Sequence, residues 1–441
     1  MPKAIAIVLA GGKGERLLPL TQHRAKPAVP FGGVYHLIDF TLSNCIHSGL
    51  RQILVLTQYK SMSLDRHLQR AWNGFHREWG ESLEVLPPQQ QLGERWYSGT
   101  ADAVYQNLDV IENTGAEHTL ILAGDHVYKM DYRPFLQQHV ESQADVTVGC
   151  VQVSLAEASE FGLMQVDSSD RIVDFVEKPR HPVPQLEDPN HCLASMGIYV
   201  FGTRFLAEVL QQDAVRLVSA HDFGRNILPS LIRSHNVRAY WFCEASTGDP
   251  SYWRDVGTLD AYFETHMDLL AEQPPLALRD DHWPLFGHVT SLPPAVVSCA
   301  GRNATSQEFS DQSYVHNSLI GPGCEIRDAV LDRAILSPNV EIRAGAEVVQ
   351  SILLGGVVVE MEAHVRRAII DEGVRIPRGM CIGQDSEADR ARGFMVTDSG
   401  IVVVPKGWIP EWGWRDDFND EQILDAEAIV SGGLPGFSNA W

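Results

Sequence analysis

The residues whose types and spacing could do chemistry gather in a few short stretches. Leu9-Ala10-Gly11-Gly12-Lys13-Gly14-Glu15-Arg16-Leu17 follows an apolar run near the N-terminus. Its glycines would let backbone N–H groups approach phosphate oxygens closely, while Lys13 and Arg16 add positive charge at the same place. No G-K-[ST] follows at Walker spacing, and Leu17 occupies the third glycine position of a dinucleotide fingerprint, so neither of those phosphate motifs is present. A tight strand-to-helix connection would by itself ask for the same glycines. The stretch gains weight from Arg24-Ala25-Lys26-Pro27: in residues 1–30 five Lys/Arg face one Glu, a local excess suited to a triphosphate.

A second stretch, Leu120-Ile121-Leu122-Ala123-Gly124-Asp125, is an apolar strand ending in a carboxylate. At the carboxyl end of a central strand, Asp125 would be placed to hold Mg²⁺, a hard cation that takes one or two carboxylates beside phosphate oxygens. The competing use of such an Asp is to cap a following helix. Asp255, in Tyr252-Trp253-Arg254-Asp255-Val256-Gly257-Thr258, could complete the metal site or serve as a turn residue. Glu177-Lys178-Pro179 ends another strand-like run; Lys178 could bind a sugar phosphate and Glu177 accept sugar hydroxyls, or both could be solvated surface. Trp96-Tyr97 precedes a helix led by Gly99, where core packing and a nucleotide or sugar contact are both open.

Positioning these residues requires a scaffold, and the pattern predicts two. Residues 1 to about 270 alternate short apolar runs (Ala4–Leu9, Ile53–Thr57, Thr119–Ala123, Val146–Val153, Gly197–Phe201) with helical stretches such as Ser63–Trp72, Thr100–Glu112 and Asp222–Ile232. A doubly wound α/β sheet with its site at the strands' carboxyl ends follows. After a Pro/Trp-rich linker, branched aliphatics recur at Ile320, Ile326, Leu331, Leu336, Ile342, Val348, Leu353, Val359, Val365, Ile370, Ile376 and Ile382. Every step is five or six residues, which fits neither a helix nor a hairpin and predicts a β-helix coil.

Across its 441 residues the chain holds 35 Lys+Arg against 57 Asp+Glu, a formal charge of −22. That argues against nucleic acid or an anionic membrane as main partner, since both repel it. The deficit is uneven: residues 408–441 hold seven acidic residues and one Arg. Seven scattered cysteines with no C-x-x-C pair predict structural thiols in a cytoplasmic protein. No apolar stretch approaches a membrane span, and the short run Ala4–Ala10 reads as a buried strand rather than a signal peptide.

Taken together, the glycine-rich turn, Arg24–Pro27, Ser43-Asn44-Cys45, Pro88-Gln89-Gln90, Trp96–Asp102, Gly124-Asp125-His126, Phe161-Gly162, Glu177–Pro179, Ser195-Met196-Gly197, His221-Asp222-Phe223-Gly224, Tyr252–Thr258 and the coil resemble the bacterial glucose-1-phosphate adenylyltransferases. The resemblance implies a Rossmann-like, GT-A-type nucleotidyltransferase domain over 1–272, a linker over 273–295, a left-handed β-helix over 296–404 and a tail over 405–441. It implies ATP and glucose 1-phosphate as substrates, ADP-glucose and pyrophosphate as products, and Mg²⁺ on Asp125 and Asp255. Arg16 and Lys26 would act with these aspartates as the catalytic set. Gly11, Gly12, Lys13, Gln89, Gln90 and Gly99 would border the nucleotide, and Tyr97, Gly162, Glu177, Lys178 and Ser195 the glucosyl phosphate. It further implies a homotetramer in glycogen synthesis, regulated by phosphorylated metabolites. Where enteric members carry basic effector residues, this chain keeps Arg24, Arg366 and Arg367 but has His23, Pro30, His36 and Asn113, which predicts a different effector profile. Other readings are a pyrophosphorylase using UTP, GTP or dTTP, a non-catalytic nucleotide-sugar sensor, and an acyltransferase on the coil, for which the isolated His316 and His364 offer little.

Overall fold

The computed structural model describes residues 2–88, 96–185, 188–244, 247–288, 291–298 and 313–410. The first strand, Ala4–Ala10, shows why the N-terminal half folds as a layered α/β domain. Its alternate side chains enter different cores: Ile5 and Ile7 pack on one face of the sheet, Ala6, Val8 and Ala10 on the other. A strand buried on both faces needs apolar residues at every position, which is what the run supplies.

That strand lies between Gln52–Thr57 and His118–Ala123, parallel to both, and Ser82–Leu86 extends the parallel portion. Beyond His118–Ala123 the sheet is mixed rather than doubly wound throughout. The long strand His191–Gly202 runs antiparallel to His118–Ala123, Val146–Ser154 and Gly162–Val166. Its register slips between Ser195 and Ile198, at Gly197 with φ +67°. A left-handed residue there makes a bulge that re-aims the strand, and glycine adopts it without steric cost.

Two expected helices differ. Thr100–Glu112 is two short helices, Thr100–Tyr105 and Leu108–Asn113. The break falls at Asn107, whose side chain donates both to Ala103 O and to Tyr97 Oη. Asp222–Ile232 begins as a π-turn over Phe223–Ile227 capped by Asp222, and only then continues as α-helix.

The C-terminal half is a parallel coil of short strands in three sheets. From Ile326 onward, every member of the five-to-six-residue aliphatic series lies in one buried cluster, with Ile320 packed at its end. The sheet containing Ile335–Leu336, Ile352–Leu353 and Ala368–Ile370 is buried on both sides. Leu336, Leu353 and Ile370 point into the coil, whereas Ile335, Ile352 and Ile369 join Leu17, Phe31, Leu37, Phe40 and Phe263 of the N-terminal domain in a shared core. The coil is thus docked by one face through apolar contact, reinforced by Asn317 donating to Leu270 O and by Thr397 and Ser399 donating to Asp260.

The segment joining the halves is pinned down: Trp283 Nε1 donates to Asn44 Oδ1, the Phe286 N–H to Ser43 Oγ, and Lys129 pairs with Asp280. Of the C-terminal stretch only residues 405–410 are described, with Trp408 buried against Phe394. The described cysteines are unpaired, and no described helix is long and apolar enough to cross a membrane.

Candidate active site

The carboxyl ends of Ala4–Ala10 and His118–Ala123 open onto the same edge, and there the sequence segments meet. Asp125 follows its strand as expected, but what comes next is the short strand His126–Tyr128, so it caps no helix. That strand pairs antiparallel with Trp253–Asp255, placing Asp255 opposite His126. The pairing is what makes two aspartates far apart in sequence neighbours. Lys26 Nζ lies between them, 2.7 Å from Asp125 Oδ2 and 3.3 Å from Asp255 Oδ1. Burial works against the lysine's charge, but the two carboxylates outweigh it and raise its pKa. Asp125 is held below its ordinary value because Lys26, then His126, overcome its own desolvation. Lys26 and Asp125 therefore both stay ionised at neutral pH.

The glycine turn is folded against this trio. Gly14 adopts φ +65°, and a Cβ there would come within 3.0 Å of Thr21 Cγ2 and 3.1 Å of Lys26 Cβ. The turn leads into a single 3-10 turn, Glu15–Leu17, not an α-helix. Pro19 keeps Leu18 extended (ψ 141°) and stops the helix, so no helix N-terminus backs the glycines. Arg16 forms an ion pair with Glu160 at 2.8 Å, and a Cβ on Gly257 would come 2.9 Å from Arg16 Nη2 and 3.2 Å from Asp255 Oδ2. Arg16 therefore passes beside Asp255. Lys13 sits 3.6 Å from Glu15 and over the ring of Tyr59, which stacks on exposed Trp96 at 5.8 Å. Tyr59 carries no local signal that sequence reading could have used. Gly11 lies against Gln58, while Gly12 faces open space.

A second group surrounds Glu177. A Cβ on either Gly162 or Gly224 would stand 2.6 Å from Glu177 Oε2, so the carboxylate is wedged between two backbones that only glycine allows this close. Burial, then Asp222, raises its pKa despite Lys178. Asp222 accepts from Thr100 Oγ1, and Ser195 Oγ accepts from the Gly197 N–H at the bulge. Lys178, with φ +47°, donates its backbone N–H to Phe161 O.

Some expected ligands have other duties. Tyr97 is 8% exposed and its hydroxyl accepts from Asn107, so its side chain belongs to the core, as the packing alternative had it. Gly99 is required by packing, since a Cβ would lie 2.3 Å from His221 O. Gln89 and Gln90 lie outside the described residues. Of the five effector candidates, Arg24 is close enough to both His23 and His36 to act on them electrostatically. Arg24 is buried and bound by Asp371 and Glu372 at 2.9 and 3.0 Å. Arg366 pairs with Glu347, Arg367 stacks over Phe263, and His36 packs on His67. His23 is pushed below its ordinary value by burial, then by Lys406 and Arg24.

Comparison with known proteins matches this geometry to a lineage. A nucleotidyl transferase family profile covers residues 5–272, and a GlmU-like C-terminal hexapeptide profile covers residues 302–404. A glucose-1-phosphate adenylyltransferase of Rhodopirellula baltica is 49% identical over 410 residues, 92% of this chain and 91% of that protein. Proteins of the same name from Nitrosococcus oceani and Methylobacillus flagellatus are 47% and 48% identical, each over 91% of this chain and 93% and 92% of theirs. The chain belongs to the glucose-1-phosphate adenylyltransferase family. The hexapeptide match identifies the coil as the left-handed parallel β-helix of this family, and the catalytic half as a nucleotidyltransferase that generally works with a divalent metal ion.

Proposed function

We propose that the chain transfers the adenylyl group of ATP to α-D-glucose 1-phosphate, releasing pyrophosphate and ADP-glucose. The observation that carries this reading is the convergence of Lys26, Asp125 and Asp255 beside the glycine turn, in a chain whose relatives bear that name. A phosphate oxygen of the sugar phosphate attacks the α-phosphorus; the bond from that phosphorus to the β-phosphate's bridging oxygen breaks and pyrophosphate departs. The nucleophile is already an anion, so the protein need not remove a proton. Its tasks are alignment and neutralisation of charge.

The donors at the site fit a hard cation: two carboxylates brought within reach of one ammonium, with no sulfur ligand. Asp125 and Asp255 would hold Mg²⁺, which would supply charge neutralisation for the phosphates. Lys26 keeps a fixed positive charge beside them. Arg16 and Lys13 stand at the mouth of the glycine turn, where the departing pyrophosphate would lie, with Gly11, Gly12 and Gly99 on the nucleotide side. Glu177, fixed between Gly162 and Gly224, would accept sugar hydroxyls, with Lys178 and Ser195 nearby.

The physiological setting we infer is glycogen (α-glucan) synthesis in the cytoplasm by a homotetramer under phosphorylated-metabolite control. His23, Pro30, His36 and Asn113, standing where enteric members carry basic residues, support an effector profile unlike the enteric one. Pyrophosphate release from ATP, UTP, GTP and dTTP with glucose 1-phosphate tests the core reading. Fast turnover with ATP alone is expected. Preference for another nucleotide would make the chain a different sugar pyrophosphorylase, and no turnover with any would leave a nucleotide-sugar sensor.

A further inference from the structure

Behind the active site, at the start of the helix Leu37–His47, a cluster of side chains takes no part in the chemistry above. Asp39 is fully buried. Its Oδ1 meets His67 Nε2 at 2.6 Å and the Trp72 indole N–H at 2.8 Å, and its Oδ2 accepts the His36 backbone N–H. His36 Nδ1 stands 3.9 Å from Oδ2, and its ring packs on that of His67 at 3.8 Å between centroids with the two planes tilted by 37°. Ligand atoms of His36, Asp39 and His67 all fall within 4.8 Å of one another.

A hydrogen-bonded structural cluster would account for Asp39 and His67 but not for the rest. His36 Nδ1, at the helix N-cap, faces the Asp39 backbone N–H in a capping box but is sealed from solvent and makes no full hydrogen bond, and His288 Nδ1 is likewise sealed and without a hydrogen-bond partner. His288 is close enough to bear on His36 electrostatically, and it follows Gly287, whose Cβ position is 3.1 Å from Asp39 Oδ2. Two unpartnered imidazole nitrogens beside a buried carboxylate are costly without a ligand and well satisfied by one that takes lone pairs. Burial, then His67, holds His36 down to about 3, so its ring is neutral and able to donate a lone pair.

We propose that His36, Asp39 and His67, with His288 or water in the fourth position, bind a divalent transition-metal ion of the zinc class. Imidazole with carboxylate suits Zn²⁺ and not Mg²⁺. A tetrahedral zinc site spaces its donors roughly 3–4 Å apart, so only small shifts separate this arrangement from a closed one. The Trp72 and backbone N–H groups would remain as outer-shell donors that orient Asp39. The ion would be structural. It would tie together the helices Leu37–His47 and Ser61–Ala71 and the segment 284–288 that leads toward the β-helix.

The test uses the full chain, stripped with a chelator and then gel-filtered from equimolar Zn²⁺ in excess Mg²⁺, with bound metal measured by plasma emission. The wild type should retain one zinc per chain and melt at a higher temperature with it. Asp125→Asn should retain the same amount, whereas His36→Phe should lose zinc affinity by more than about tenfold with its far-ultraviolet circular dichroism unchanged. A wild type that elutes without zinc, or an H36F protein that holds as much as wild type, overturns the proposal. Should H36F fail to fold, Co²⁺ decides: ligand-field bands in the wild type that Zn²⁺ abolishes support the site, and no bands overturn it.

Discussion

The two halves of this molecule use sequence in opposite ways. In the β-helix one kind of residue recurs at one spacing, and each occurrence does the same job: Ile342, Val348, Leu353, Val359 and Val365 fill successive positions along one apolar interior. In the catalytic domain the residues that matter occur once each and come from distant segments. Lys26, Asp125 and Asp255 meet only because a short strand pair sets Asp255 opposite His126. A repeat distributes its stability over equivalent interfaces, whereas the site depends on a few contacts with no duplicate. Damage should therefore be graded in one half and abrupt in the other.

Four changes would break or sharpen that contrast. Asp125→Asn comes first. It keeps the shape of the side chain but removes a charge facing Lys26, and pyrophosphate release should fall by about 10³-fold or more with circular dichroism unchanged; activity within tenfold of wild type would remove Asp125 from the chemistry. Next is Arg24→Ala, at the charged contact between the halves. It leaves Asp371 and Glu372 without their guanidinium, Asp371 being almost fully buried. Breaking such a buried pair costs about 3–5 kcal/mol, read as a lower melting temperature in scanning calorimetry.

Third, Leu353→Ala and Ile352→Ala compare adjacent residues on opposite faces of one strand. Each should cost about 2–5 kcal/mol by cavity formation. Leu353→Ala should lower the unfolding of the coil itself, whereas Ile352→Ala should loosen its docking and separate the unfolding of the two halves. Identical calorimetric traces would mean that the shared core does not couple them.

The smallest effect per group concerns acid. Burial holds His36 and His266 down to about 3 and His139 to about 4, from an ordinary 6.5. Between those values the unfolded chain binds protons that the folded one excludes. Their contribution is thus intact above about 6.5 and is lost as pH falls toward 3 to 4, each histidine costing about 1 kcal/mol one pH unit below its ordinary value. All three lie in the catalytic domain. The β-helix histidines His316 and His364 are instead surface residues facing Asp332 and Glu347. The catalytic domain, followed by its helical circular dichroism, should therefore unfold at a higher pH than the β-helix, whose own share of the β-sheet signal should persist, and a single transition for both halves would contradict this.

How much was legible followed the range of the forces involved. The coil could be read because its core repeats every five or six residues and each strand contacts the next turn. The first strand and the strand before Asp125 were legible because burial on both faces demands an unbroken apolar run. The strand-to-helix connection that could by itself have asked for the glycines leads only to the 3-10 turn Glu15–Leu17, because Pro19 blocks a longer helix locally. The single helix expected over Thr100–Glu112 was cut by Asn107, whose side chain is claimed by Tyr97 and Ala103. Tyr97 itself read equally well as ligand or core until its partners were known.

The sequence by itself determined the two architectures, the concentration of positive charge in the first thirty residues of an acidic chain, and the motifs that mark a nucleotidyltransferase. These rest on local pattern and residue chemistry, which survive without coordinates. Only the tertiary structure decided that Lys26 lies between Asp125 and Asp255, that Glu177 is wedged between Gly162 and Gly224, that Arg24 is bound by the β-helix, and that His36, Asp39 and His67 face one another. Each is a meeting of residues remote in the chain. Such meetings are set by strand register and by which faces pack together, and no spacing along the sequence records them.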